Sequence, residues 1–126
     1  MPRFVILEHD YPELHWDFML ECAGALKTWR LAEPPATHGE LIAAVALEDH
    51  RLDYLDYEGP VSGNRGRVKR WDRGDYEGSL ASDSWKICVI GAGLQAWALM
   101  DGKAMGIRFV PIRDDEPDKS STAGSA

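Results

Sequence analysis

Residues 14–21, "LHWDFMLE", alternate at a period of two, which makes a β-strand the local unit. Leu14, Trp16, Phe18 and Leu20 form one set and read as a core face. His15, Asp17, Met19 and Glu21 form the other. A helix would scatter both sets around its circumference, whereas a strand separates them onto opposite sides. The second row therefore sets an imidazole and two carboxylates side by side, with a methionine among them.

Strand signals continue along the chain. "RFVILEH" is rich in β-formers, and "AGALKTWRL" follows the plausible hairpin turn Ala23-Gly24. "PPATHGE" reads as a loop because its prolines end the preceding strand. "LIAAVALED" is a short apolar run whose length favours a strand. After the loop "GPVSGNRG", "RVKRWDRGDYE" reads as strand, Asp-Arg-Gly turn, strand. "WKICVIG", "LQAWALM" and "GIRFVPI" complete the set, with turns at "GAG" and "MDGKAMG". Some seven to eight short strands with little helical periodicity predict an all-β, mainly antiparallel fold, a compact barrel or sandwich. The chain of 126 residues suits one domain. We expect that domain over residues 1–113, followed by a disordered acidic and polar tail over 114–126.

Cys22 and Cys88 read as two thiols rather than a bridge, as in a reduced compartment. No apolar run approaches the length of a membrane span, and the N-terminus lacks a signal-peptide pattern, so a cytoplasmic location is expected. The formal net charge of −7 argues against a general nucleic-acid surface. Against that balance, Arg65, Arg67, Lys69, Arg70 and Arg73 crowd into one segment.

"GAGLQA" fits the G-x-G-x-x-A variant of a dinucleotide-binding turn. The segment after it is poorly amphipathic and contains Gly102, and the chain has too little left for further parallel strands, so strand, turn, strand is the better reading. The histidines are more informative. His9, His15 and His50 each lie near a carboxylate in a strand-like setting, and strict alternation puts Glu48 and His50 on one face, as it does His15 and Asp17. Two imidazoles and a carboxylate are a common donor set for Mn, Zn, Co or Fe. His15-x-Asp17 with the later His50 also matches the pattern of 2-oxoglutarate oxygenases, although the chain is short for that fold.

The motifs in order, "FVILEHDYPELHWDFMLECAGALKTWRL", "VALEDHRLDYLDYEG" and "WDRGDYE", resemble the 3′-phosphoesterase domain family of bacterial DNA ligase D over about residues 4 to 77. The resemblance implies an antiparallel β-barrel with its metal site at the open end. It implies a divalent metal, typically Mn2+ (with Zn2+ or Co2+ as alternatives), and removal of a 3′-ribonucleotide and then a 3′-phosphate from DNA ends in break repair. By the same resemblance His9, Asp17 and His50 are metal ligands and His15 is the catalytic histidine. Glu21, Lys27, Glu48 and Tyr54 match positions that support the metal or hold phosphate. The implied partners are a nucleic-acid 3′ end or other phosphoester and a separately encoded ligase or repair protein.

Two positions depart from the family pattern. Met19 and Ile42 stand where it has arginines, which removes two bidentate phosphate contacts. Arg65 and Arg67 are candidates to replace them. The departures also support a second reading, a non-catalytic, metal-containing protein that binds DNA ends or a repair partner.

Overall fold

The computed structural model describes residues 1–112; the tail expected over 114–126 lies outside them. The strands are β1 (Arg3–His9), β2 (His15–Cys22), β3 (Ala25–Leu31), β4 (Ile42–His50), β5 (Gly59–Pro60), β6 (Arg67–Glu77), β7 (Trp85–Gly91), β8 (Gln95–Asp101) and β9 (Gly106–Pro111). Among the described residues a single 3-10 turn, Leu52–Leu55, interrupts them. The sheet runs β1-β2-β3-β4-β9-β8-β7-β6-β5, and pairing of β1 with β6 closes the first eight into a ring. Every strand pair among the described residues is antiparallel, in agreement with the all-β expectation. Among the described residues no helix is long and apolar enough to cross a membrane.

The β2–β3 hairpin turns at Ala23 and Gly24, both at positive φ (53° and 83°), the backbone that a tight hairpin needs. Phe4, Ile6, Phe18, Leu20, Trp29 and Phe109 belong to the main core inside the ring. The opposite face of the same strands is also covered. Val5, Leu7, Met19, Leu26, Leu55 and Val68 form a second apolar cluster, partly roofed by Leu52, Tyr54 and Val61. β2 is therefore buried on both sides from Asp17 to Leu20. Leu14, read as part of a core face, precedes the strand and is 53% exposed.

β6 differs from the expected strand, turn, strand. It runs unbroken for 11 residues because β1 pairs along nearly its whole length. Gly74 is not a turn residue: a Cβ there would meet Ile90 and Gly91 of the neighbouring strand, so its lack of a side chain permits close strand approach. An extra residue sits at Trp71, since Ile6 pairs with Asp72 and Leu7 with Arg70. This bulge changes which face β6 presents. Val68 joins the second cluster, whereas Asp72 and Tyr76 point to the main-core side.

The buried Asp72 carboxylate accepts hydrogen bonds from the backbone N–H groups of Arg73 (2.8 Å), Ala92 (3.0 Å), Gly93 (3.1 Å) and Leu94 (2.6 Å). Gly91–Leu94 is thus a turn between β7 and β8, as expected, and its amides are engaged by a carboxylate rather than free for a phosphate. The seam between β4 and β9 is short, with Ile42 opposite Ile107 and Ala43 opposite Gly106.

Candidate active site

β1 ends at His9 and β2 begins at His15, and these two residues are register partners. Their rings meet edge to face with centroids 4.8 Å apart. Asp17, two residues further along β2, shares their face. His9 Nδ1 lies 3.4 Å from Asp17 Oδ2, and His15 Nε2 lies 3.2 Å from Asp17 Oδ1. His15 and Asp17 are buried, and His9 is half-buried.

The far nitrogen of each ring is held by a backbone carbonyl, which can only accept. His9 Nε2 donates to Arg65 O at 2.9 Å, and His15 Nδ1 donates to Glu13 O at 2.8 Å. In a neutral imidazole the other nitrogen then carries a lone pair. Those lone pairs, on His9 Nδ1 and His15 Nε2, face the Asp17 carboxylate, and the ligand atoms all lie within 4.8 Å of one another. His15 Nε2 and Asp17 Oδ1 are buried with no hydrogen-bond partner; at 3.2 Å they are close but not aligned for a bond. Acceptors converging in this way are satisfied by a proton or a cation. The donor chemistry, imidazole plus carboxylate with the outer ring nitrogens anchored, fits a divalent transition metal.

Burial, the largest influence on His15, opposes its charged form. The Asp17 carboxylate, by contact and by charge, and the Glu13 carbonyl outweigh it, and the His15 pKa is raised above the ordinary histidine value. Arg30 pushes in the opposite direction.

The three residues open onto a cavity of about 310 Å3 that His50 and Tyr54 also line; His50, expected as a metal ligand, is not among the donor atoms that converge. Strict alternation fails here. Leu26 pairs with His50 and Thr28 with Leu47, so β4 carries one residue more than β3 over this span. Leu47 and His50 consequently both line the cavity, while Glu48 is exposed and outside its lining. Glu48 and His50 do not share a face as the alternation predicted. The Glu48 carbonyl instead accepts from His50 Nδ1 at 2.9 Å, which leaves Nε2 free. The Tyr54 ring packs edge-on against His50, with centroids 5.7 Å apart.

Two other candidate residues stand apart. Glu21, at the far end of β2, binds Arg3 through the backbone N–H (2.9 Å) and Nε (3.2 Å). Lys27 lines a separate groove with Trp29 and Trp85. Met19 is 1% exposed, lines the cavity and belongs to the second apolar cluster. Ile42 is buried in the main core. Arg65 lines the cavity, but its guanidinium donates to Ser62 O (2.7 Å) and Ser62 Oγ (3.3 Å) of its own loop. Arg67 is exposed and not among the lining residues. Sequence reasoning missed Arg30, which lines the cavity and pairs in register with Asp17 across β2–β3. Its position two residues before Ala32 in a hairpin whose turn was legible would have placed it there.

Curated relatives match over the motif-bearing region. The multifunctional non-homologous end joining protein LigD of Pseudomonas aeruginosa is 41% identical over 76 residues, covering 57% of this chain and 9% of the relative. The corresponding LigD proteins of Mycobacterium tuberculosis (strain H37Rv) and Mycolicibacterium smegmatis are each 37% identical, over 78 and 79 residues. Those matches cover 59% and 60% of this chain and 10% of each relative, so the chain matches only about a tenth of their length. The family model described as the DNA Ligase D 3′-phosphoesterase domain matches residues 7–104. With most of the chain inside that match, including His9, His15, Asp17 and His50, the protein belongs to the DNA ligase D 3′-phosphoesterase domain family.

Proposed function

We propose that the chain hydrolyses phosphoesters at a nucleic-acid 3′ end, with a divalent metal held by His9, His15 and Asp17, where the resemblance implies His50 as the third ligand, and with His50 as proton donor. Family membership supports a phosphoesterase-like function. The end-joining proteins among its relatives support a broken DNA end as the substrate and a ligase or other repair protein as the partner. The observation that carries the reading is the convergence of His9, His15 and Asp17 donor atoms on one point, with the facing His15 and Asp17 atoms unsatisfied.

A divalent cation held there, Mn2+ by preference and Zn2+ or Co2+ on the same donors, draws charge from the phosphoryl oxygens and favours attack by water. The protein's own groups do the rest. The Arg65 and Glu13 carbonyls keep the ring protons on His9 Nε2 and His15 Nδ1, so His9 Nδ1 and His15 Nε2 are the atoms that would hold the metal. The Glu48 carbonyl likewise engages His50 Nδ1, so His50 Nε2 is the atom that takes up a second proton and passes it to the leaving oxygen. Tyr54 packs against His50 and holds its ring toward the cavity. Arg67 and Lys69, exposed on β6, provide positive charge beside the site in an otherwise acidic protein and help to draw in a polyanion.

A second reading, a metal-containing protein that binds DNA ends or a repair partner without cutting, is favoured by the burial of Met19 and Ile42. One assay separates the two. A primer-template ending in a single 3′-ribonucleotide, incubated with and without Mn2+, is expected to give a 3′-phosphate and then a 3′-hydroxyl. His9→Ala and Asp17→Ala should abolish both products. Metal bound in stoichiometric amount with no turnover would establish the second reading instead.

A further inference from the structure

Arg30 combines features that the site's other cationic groups lack. It stands directly across from Asp17 in the β2–β3 register and lines the cavity that holds His9 and His15. It also borders an adjoining groove formed with Pro12, Leu14, Ala32 and Val45, so it lies between two concavities. Its Nε is buried and has no hydrogen-bond partner, whereas the Arg65 guanidinium is bound to Ser62. Asp17 does not satisfy it: the ion-pair partners of Asp17 among the described residues are His9 and His15. A buried guanidinium N–H without an acceptor is costly to keep, and its fork of donors matches the oxygens of a phosphate group.

We propose that Arg30 grips the phosphate group of the substrate, supplying from β3 the guanidinium that the family pattern places on β2 at the position of Met19. This deepens the phosphoesterase reading and rests on it. The geometry permits the exchange. Met19 pairs with Thr28 and Asp17 with Arg30, so positions 19 and 30 are diagonal neighbours on one face of adjacent strands. Such neighbours lie roughly 7 Å apart, within reach of an arginine side chain. Met19 is committed to packing against Val5 and Leu7, where a cation would be stranded in apolar surroundings. Moving the charge one strand over leaves that cluster intact and keeps a guanidinium in the cavity.

The test compares Arg30→Ala, Arg30→Lys and Arg30→Gln with the unchanged protein and with Lys86→Ala, which removes a cation that sits over Trp97 on β7–β8. Two quantities are measured in Mn2+: the affinity for inorganic phosphate by calorimetry, and kcat/KM on an oligonucleotide bearing a 3′-phosphate. Arg30→Ala and Arg30→Gln are expected to lose about 10- to 100-fold in both, as for a lost charge-assisted contact. Arg30→Lys should recover only part, because it lacks the fork, and Lys86→Ala should lose neither. Should Arg30→Ala fail to fold, the Gln and Lys variants carry the comparison. Folded Arg30 variants with phosphate affinity and turnover within about twofold of the parent overturn the assignment but leave the phosphoesterase reading standing. Phosphate bound through Arg30, with no turnover of any phosphoester by the parent, overturns the phosphoesterase reading and keeps Arg30. A parent that neither binds phosphate nor turns over substrate overturns both.

Discussion

His15 Nε2 and Asp17 Oδ1 face each other at 3.2 Å, both buried and neither hydrogen-bonded. With the ring in the tautomer that the Glu13 carbonyl imposes, two acceptors confront one another. A cation between them relieves the conflict. Mn2+ at about 100 times its Kd should therefore add about 2.7 kcal/mol of stability, roughly 10 °C in Tm for a domain of this size. A chelator should reverse the gain, and His9→Ala or Asp17→Ala should abolish it. An unchanged melting curve with Mn2+, Zn2+ and Co2+ would sink the metal assignment.

The third ligand can be assigned by separating affinity from turnover. His15→Ala should weaken Mn2+ binding by about 100-fold or more, beyond the ~10–100-fold typical of losing a group that merely supports a ligand. His50→Ala should leave that affinity within about threefold while turnover falls by about 100-fold or more. The reverse pattern would make His50 the ligand and remove it from proton transfer.

Asp72 engages four backbone amides, so its removal should act on the fold and not on the site. Asp72→Ala is expected to cost on the order of 3 kcal/mol, read as a lower urea midpoint, because the turn amides lose their acceptor. Asp72→Asn should recover part of that. Mn2+ affinity of the folded fraction should not change; a matching loss there would tie the turn to the metal site.

Tyr76 should govern alkaline stability. Its hydroxyl donates to Glu21 O at 2.6 Å, and burial, followed by the charges of Cys22 and Glu21, pushes its pKa up to about 12. The unfolded chain titrates near pH 10. Stability is therefore complete below about pH 10 and declines between about 10 and 12, where only the unfolded state releases the proton. Tyr76→Phe should lose about 1 kcal/mol at neutral pH and flatten that decline. An identical alkaline slope in the variant would refute the assignment.

Glu21 supplies a contrasting acid limb. Its hydrogen bonds from Arg3, with the Arg3 charge, hold its carboxyl below the usual value of 4.5. The resulting stabilisation is present above that value and is lost as pH falls through the lower folded pKa. Glu21→Gln should flatten this limb in acid-unfolding curves and leave Mn2+ affinity within about twofold. A larger loss of affinity would return Glu21 to the metal site, from which the Arg3 contact separates it.

The donor row of β2 was legible because a strand needs nothing but alternation to put His15 and Asp17 on one side. His9 follows from the short connection to β1. The turn at Gly91–Leu94 was legible from its glycines, although Asp72, about 20 residues earlier, is what fixes it. What alternation cannot reveal is an inserted residue. One extra residue near Glu48 turns His50 into the cavity beside Leu47, and another at Trp71 lets β6 serve both apolar clusters. Nor does a single strand show that both of its faces are covered, which is why Met19 reads as an anomaly in the sequence and as packing in the fold. Arg30 went unnoticed because its significance depends on the residue across from it on another strand.

The short β4–β9 seam bears on how this site responds to what enters it. His9, His15 and Asp17 stand on β1 and β2, each flanked on both edges by paired strands. His50 stands on β4, whose last backbone bond toward β9 runs from Ala44 N–H to Met105 O, so from Val45 to His50 its strand partner among the described residues is β3. The side of the cavity that carries the converging donors is thus the doubly paired one, and the singly paired strand carries His50. A wider or narrower occupant of the cleft would therefore be met by a shift of β4, with the donors across from it left in place.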